Sequence, residues 1–186
     1  SPTEEAYRYF DTSCEQWKSF SWHQMNEQVA RWQSALAKES LVKGDRVALM
    51  LRNCPQWVMF DQAAMSLGLV VVPLYTVDRA ENIAYIVNDA QVKVFLFETS
   101  EQWQELSVVC EQMDGVQRFI SLDEISRDES RLVAAAQYLP ESAVLQAPVT
   151  CDIMALASII YTSGTTGKPK GVMLSHNNML SDAYNT

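Results

Sequence analysis

Eleven consecutive residues, Tyr161-Thr162-Ser163-Gly164-Thr165-Thr166-Gly167-Lys168-Pro169-Lys170-Gly171, hold three of the chain's six glycines, four aliphatic hydroxyls and two lysines. That mixture suits a phosphate. Glycine lets the backbone come close to a ligand with successive N–H groups turned into one concavity. The hydroxyls of Thr162, Ser163, Thr165 and Thr166 add side-chain donors, and Lys168 and Lys170 supply positive charge. Between Ile153 and Ser181 these lysines are the only formally charged side chains, so the segment is cationic within a chain of net charge −9.

The spacing separates this loop from the phosphate loop of P-loop NTPases, which needs four residues between its glycines and Ser or Thr directly after the lysine. Here two residues separate Gly164 from Gly167, and Pro169 follows Lys168. Proline disfavours the α region at the residue before it, so no helix starts at Lys168. The apolar run Leu156–Tyr161 precedes the loop and Val172-Met173-Leu174 follows it. The pattern reads as a strand, a long loop and a second strand.

The elements that position the loop come from a regular beat of apolar runs at Arg46–Leu51, Leu69–Tyr75, Val92–Phe97 and Val116–Ser121, with centres about 23 residues apart. Helical patterns fill the gaps, which predicts an α/β fold: a mostly parallel sheet built from repeated βαβ units with helices on both faces. Pro55 suits the first turn of a helix whose stripe is Trp57, Phe60, Ala64 and Leu67, with Gly68 as its terminator. Asp78 and Glu81 read as a capping box for a helix with the stripe Ile83, Ile86, Val87 and Ala90. A third helix carries Trp103, Leu106, Cys110 and Met113. Ser126 and Glu129 read as the cap of a fourth, containing Leu132, Val133 and Ala136. Met25, Val29, Trp32 and Leu36 mark an earlier amphipathic helix, and the segment from Pro140 to Asp152 reads as a connector.

Composition, 48% hydrophobic and 20% charged, is that of a globular chain with a sizeable core. The longest apolar stretch, Leu67 to Tyr75, is under half the roughly 20 residues a membrane span needs, and no cleavable signal pattern opens the chain. The acidic balance argues against a nucleic-acid surface. Cys14, Cys54, Cys110 and Cys151 lie at least 40 residues apart, with only two histidines to join them. Buried free thiols in a reducing cytoplasm are therefore expected, with no metal cluster. Ser175 and His176 are sequence neighbours whose side chains diverge on an extended segment, so they do not form a nucleophile–base pair, and His176 is given a structural role near the loop. His23 is expected to pack or cap at a helix start. The Trp and Met residues fall on core stripes, and the acidic pairs Glu4-Glu5, Asp123-Glu124 and Asp128-Glu129 read as solvated surface.

The Tyr161–Gly171 string closely resembles the phosphate-binding signature of the adenylate-forming enzymes, which include acyl-CoA synthetases, firefly-type luciferases and peptide-synthetase adenylation domains. Phe20-Ser21-Trp22-His23-Gln24-Met25, Gly44-Asp45-Arg46-Val47-Ala48 and the run from Met65 to Thr76 resemble the family's N-terminal segments in the expected order, so the resemblance covers essentially the whole chain. It implies a two-step ligation. A carboxylate attacks the α-phosphate of ATP, pyrophosphate leaves, and a thiol takes the acyl group from the acyl-adenylate. Thr162, Ser163, Gly164, Thr165, Thr166 and Gly167 match the family's phosphate cradle, Thr165 the hydroxyl that meets Mg²⁺, and Lys168 and Lys170 mobile counter-charges.

The segments Val72–Ala90 and Val172–Asn178 are similar to medium- and long-chain fatty acyl-CoA synthetases, which implies a fatty acid, ATP and CoA as small-molecule substrates. An adenylation domain for an amino acid or aryl acid, and a stand-alone non-catalytic phosphate-binding module, remain open alternatives. The resemblance places residues 1–186 in the family's large N-terminal domain as a single α/β subdomain. The acyl pocket, the adenine and ribose motifs, the acidic metal ligand and the lysine of the small C-terminal domain are expected beyond Thr186, so the isolated chain is expected to be inactive and none of its residues is assigned as catalytic. A cytoplasmic location is expected, and a lipid-like substrate is compatible with peripheral membrane contact, though no basic amphipathic helix supports it.

Overall fold

A computed structural model describes residues 1–12, 14–126, 129–162 and 167–185. The chain opens with an antiparallel hairpin, β1 (Glu5–Asp11) and β2 (Gln16–Ser21), leading into helix α1 (Trp22–Leu36). Ser21 caps that helix: its hydroxyl accepts from the Gln24 amide at 3.2 Å, and the Gln24 side chain accepts from the Ser21 amide at 2.8 Å. This reciprocal pair satisfies two donors that a helix start leaves orphaned. Next come β3 (Arg46–Met50), α2 (Pro55–Ser66), β4 (Val70–Pro73), α3 (Ala80–Asp89), β5 (Val92–Phe97), α4 (Ser100–Ser107) and β6 (Arg118–Ser121) in alternation. The chain then runs through β7 (Leu132–Ala134), α5 (Ala135–Tyr138), β8 (Leu156–Thr162), β9 (Lys170–Ser175) and α6 (His176–Asn185).

Seven strands form one sheet in the order β7-β6-β5-β3-β4-β8-β9. Every neighbouring pair is parallel except β8 and β9. The inner strands are apolar on both faces because helices cover both. Val47, Leu49, Val71, Val94, Leu96 and Ile120 point into a core closed by α1 and α2. Their alternates Ala48, Met50, Val70, Val72, Phe95, Phe97 and Phe119 point into a second core closed by α3 and α4. The parallel βαβ sheet with helices on both faces is thus the observed fold. Because α2 and α3 leave adjacent strands for opposite faces, the chain reverses around β3, the kind of switch point where open α/β sheets leave crevices at their carboxyl ends.

Several local expectations change. The N-cap of α3 is Arg79, without a side-chain cap. Asp78 sits one residue too early to reach the N3 amide, so its Oδ1 accepts instead from the Arg79 amide and from Asn82 Nδ2, each at 2.8 Å. The fourth helix is mostly a strand: Leu132–Ala134 pairs in parallel with Phe119–Ser121, leaving only Ala135–Tyr138 helical. Glu129, expected in a cap, instead holds the Arg131 amide and guanidinium, each at 3.1 Å. Arg131 in turn bonds the carbonyls of Met113 and Val116 and lies 5.1 Å over the Phe119 ring, which pins the strand's start to the core. Helix α4 stops at Ser107, before the β-branched pair Val108-Val109, and Cys110 and Met113 reach the core from a 3-10 turn and its end. Of the four free thiols only Cys110 is buried; Cys14 is exposed and Cys54 and Cys151 are half-buried. His23 neither packs nor caps: it is exposed beside Glu27, 3.4 Å away.

The connector between α5 and β8 is irregular but tied down. The buried Gln33 side chain accepts from the Gln146 amide at 2.8 Å and donates to Ser66 Oγ at 2.9 Å, while the Val149 amide donates to the Ser66 carbonyl at 2.8 Å. Gly68 follows α2 with φ +72, the left-handed turn that ends a helix without a Cβ penalty.

Candidate functional site

The strand–loop–strand pattern around the glycine-rich segment is a hairpin. β8 and β9 pair antiparallel from Leu156↔Ser175 to Thr162↔Lys170, so the two ends of the loop sit opposite one another. Ser158 adds a tie to the neighbouring parallel strand, its hydroxyl donating to the Val71 carbonyl at 2.9 Å. At the far end Ser175 Oγ accepts from the Asn178 amide at 3.2 Å, starting α6, and the His176 amide donates to the Ala155 carbonyl. Ser175 is thus occupied as a helix-start residue and His176 is the first residue of that helix.

Tyr161, the residue before the loop's first threonine, has a buried ring that lies across the partner strand. A Cβ on Gly171 would stand 3.0 Å from Tyr161 Cζ and 2.8 Å from Ile159 Cγ2, so any side chain there forces one of these neighbours to shift. The Tyr161 hydroxyl donates to Asp89 Oδ2 at 2.6 Å. Burial pushes its pKa up, and the hydrogen bond and charge of Asp89 add to the shift, so the phenol stays protonated and acts as a donor.

Beneath the hairpin lies a cleft of about 600 Å³, with Tyr75, Asp78, Asn82 and Ile86 on one side and Tyr161, Thr162, Gly167 and Lys168 on the other. It opens at the carboxyl ends of the parallel strands β4 and β8, where such sheets bind ligands. Lys168 stands at its mouth with Nζ 5.2 Å from the centroid of the Tyr85 ring. Lys170 is exposed at the start of β9. Thr162, Gly167 and Lys168 are therefore brought together around one cleft, whereas Ser163, Gly164, Thr165 and Thr166 lie outside the described residues.

Sequence reasoning missed the opposite wall. Asp78, just before α3, and Asn82, Tyr85 and Asp89 within it recur at intervals of four, three and four residues, the helix period; Asp78 and Asn82 line the cleft and Asp89 bonds the hairpin. That polar repeat was the available signal.

Hydroxyls, a glycine backbone and two lysines with no carboxylate in the loop make a donor set that fits a phosphate rather than a bare cation. Among the described residues no three or more His, Cys, Asp or Glu side chains cluster to hold a metal ion, and Thr165, the hydroxyl expected to meet Mg²⁺, is not among them. No described helix is long and apolar enough to cross a membrane.

This combination of a two-faced α/β sheet and an edge hairpin carrying a phosphate-type loop has known counterparts. The family model described as AMP-binding enzyme matches residues 1–186, and the chain belongs to that family. It is 34% identical over 160 residues to fatty acyl-CoA synthetase A of Dictyostelium discoideum, covering 80% of this chain and 23% of that protein. It is 31% identical over 156 residues to the medium-chain fatty-acid–CoA ligase of Escherichia coli (strain K12), covering 82% of this chain and 27% of that protein. Among solved structures, the anthranilate CoA ligase AuaEII in complex with anthranoyl-AMP superimposes with a TM-score of 0.83 over 90% of this chain and 32% of that one, at 18% identity, a likeness of fold. The N-terminal domain of FACL13 from Mycobacterium tuberculosis superimposes with a TM-score of 0.76 at 29% identity, covering 95% of this chain and 41% of that one. The chain spans about a quarter of the length of the two curated relatives.

Proposed function

We propose that this chain is the phosphate-gripping N-terminal part of an ATP-dependent fatty acid–CoA ligase, with residues 1–186 as one α/β subdomain. The observation that carries the reading is the closed hairpin, whose Thr162↔Lys170 pairing and Tyr161–Asp89 bond bring Thr162, Gly167 and Lys168, the described residues of the Gly/Ser/Thr/Lys segment, to one 600 Å³ cleft. In the proposed reaction the acid's carboxylate oxygen bonds to the α-phosphorus of ATP, the bond to pyrophosphate breaks, and negative charge gathers on the departing pyrophosphate. Backbone N–H groups, the hydroxyls of Thr162, Ser163, Thr165 and Thr166, and the charges of Lys168 and Lys170 stabilise that charge as it develops. Each hydrogen bond to a charged group contributes roughly 1.5–3 kcal/mol, so three such donors together supply several powers of ten in rate. Mg²⁺ would enter on the nucleotide, meet Thr165, and supply further charge neutralisation. The CoA thiol then attacks the acyl carbonyl and AMP leaves.

A fatty acid is favoured because the relatives at 34% and 31% identity are named for fatty acyl substrates, whereas the likeness to the anthranilate ligase is one of fold. The acyl, adenine and ribose pockets and a C-terminal lysine belong, on this reading, to the remainder of the polypeptide. So does any cytoplasmic or membrane-peripheral placement.

The test is acid-dependent ATP–pyrophosphate exchange by the full-length polypeptide across a panel from acetate to palmitate, with amino and aryl acids included. Exchange that rises with medium- or long-chain acids is expected, with residues 1–186 alone inactive. Preference for an amino acid, or fatty-acid-dependent exchange by the isolated chain above a Thr165→Ala, Lys168→Ala control, would overturn it.

A further inference from the structure

Helix α3 touches the loop-bearing hairpin at two points one helical turn apart. Asp89 accepts the hydrogen bond of Tyr161, immediately before the loop, at 2.6 Å. Tyr85, four residues earlier on the same face, presents its ring to the Lys168 ammonium near the loop's other end, 5.2 Å from the centroid. Residues four apart on a helix are surface neighbours, so one turn of α3 contacts both ends of the loop. Tyr85 is itself partly buried against the core beneath it, which fixes its ring.

We infer that Tyr85 is a positioning residue for Lys168, holding its charge at the mouth of the phosphate cleft; the inference rests on the phosphate-gripping reading above. The face of an aromatic ring attracts an ammonium through its quadrupole, and the lysine's four-carbon stem otherwise moves through many rotamers. A ring that pre-places the charge removes part of the ordering cost that a bound phosphate would otherwise incur. The Asp89–Tyr161 bond supplies the fixed stem against which this works. On this inference it is the ring, not the phenolic hydroxyl, of Tyr85 that acts on Lys168. What matters is the ring face.

The experiment uses the full-length polypeptide with Mg·ATP and inorganic pyrophosphate as probes, and compares Tyr85→Leu, Tyr85→Phe, Lys168→Met and the Tyr85→Leu, Lys168→Met double variant. Tyr85→Leu should raise the KM for ATP and weaken pyrophosphate binding roughly two- to fivefold, the range of an exposed cation–π contact, with kcat much less affected. Tyr85→Phe should restore wild-type affinity, and Tyr85→Leu should add nothing once Lys168 is Met. Replacing the ring at position 85 by a fluorinated phenyl, which keeps its volume and weakens its quadrupole, should shift affinity in the same direction as Tyr85→Leu and serves if that variant folds poorly. If Lys168→Met weakens binding while Tyr85→Leu does not, or if the Tyr85→Leu loss persists undiminished in the Lys168→Met background, the positioning role is overturned and the phosphate grip stands. If Lys168→Met leaves both probes unaffected, the role of Lys168 in the grip fails and takes this inference with it.

Discussion

Replacing Gly171 by alanine tests whether the hairpin stem is as tightly fitted as its geometry implies. The new methyl would stand 2.8 Å from Ile159 Cγ2 and 3.0 Å from Tyr161 Cζ, both well inside ordinary contact. Neither neighbour yields easily: Ile159 and Tyr161 are 9% and 6% exposed, and the Tyr161 hydroxyl is held by Asp89 at 2.6 Å. Overpacking a site that cannot relax costs about 1–3 kcal/mol. For a chain of 186 residues, each kcal/mol corresponds to roughly 2–4 °C in Tm, so a fall of about 2–12 °C is expected. Thermal unfolding followed by circular dichroism measures it, with Gly115→Ala as the control, since a Cβ there meets nothing nearer than the Val92 carbonyl oxygen at 4.0 Å. Tyrosine fluorescence or the Tyr161 hydroxyl proton resonance would report in parallel whether the ring has left Asp89. A Gly171→Ala protein melting with the wild type and with Gly115→Ala would refute the argument that the stem's fit requires glycine.

Asp61, 7% exposed in α2, has its carboxyl pushed up to about 6 from 3.8 by burial, with a 3.3 Å bond from Gln62 Nε2 only partly opposing. A carboxyl whose folded pKa is raised favours the protonated folded form, so the contribution of Asp61 to stability should be full below about pH 4, be lost as pH climbs to about 6, and level off above. The shift of about two pKa units corresponds to about 3 kcal/mol; Asp61→Asn should abolish that slope and raise Tm at pH 7, and parallel pH profiles for the two proteins would count against it. Thr99→Ala removes the capping box of α4, in which Thr99 Oγ1 accepts from the Gln102 amide at 3.3 Å. A loss of about 1 kcal/mol, or roughly 2–4 °C, is expected in the same melts, and no change would remove the cap from the account of that helix. On the proposed function, Thr165→Ala in the full-length polypeptide should lower kcat/KM for ATP roughly 10- to 150-fold, the effect of one hydrogen bond to a charged group. Exchange kinetics at wild-type level would take Thr165 out of the grip.

What could be read from the chain tracks how far each signal extends. Val92–Phe97 and its partners are apolar on both faces but for Lys93, the first residues Arg46 and Arg118 and the last residue Ser121, the composition of a strand buried on both faces, so the central sheet was legible. The hairpin β1–β2 was not, because its strands are largely exposed and alternate aromatic, charged and polar residues without one apolar face. Three residues, Leu132–Ala134, are too few to show a period, and only their pairing with β6 makes them a strand. The loop and its stem could be read because their chemistry is contiguous. The wall supplied by α3 could not: Asp89 meets Tyr161 across 72 residues, a contact that spacing alone does not encode. The polar repeat Asp78, Asn82, Tyr85, Asp89 marks a face without naming what it faces.

The proposed grip meets a physical difficulty, since Asp78 lines the cleft and Asp89 bonds the Tyr161 stem beside it, in a chain of net charge −9. The hydrogen bonds answer part of it. Asp89 is engaged by the Tyr161 hydroxyl, and Asp78 Oδ1 receives both the Arg79 amide and Asn82 Nδ2. Donors aimed at a carboxylate spread its charge and hold it in place, which lowers the field it projects into the cleft. Screening handles the remainder, because at physiological salt the Debye length is about 8 Å and acidic residues on the far side of the sheet are largely invisible to a phosphate at the hairpin. The nearest mobile charge is then Lys168, carried at the mouth of the cleft over Tyr85. An acidic protein can in this way offer a locally cationic grip. The placement of two lysines and the partnering of two aspartates matter more to it than net charge, and raising the salt concentration should weaken pyrophosphate binding even though the protein as a whole repels the anion.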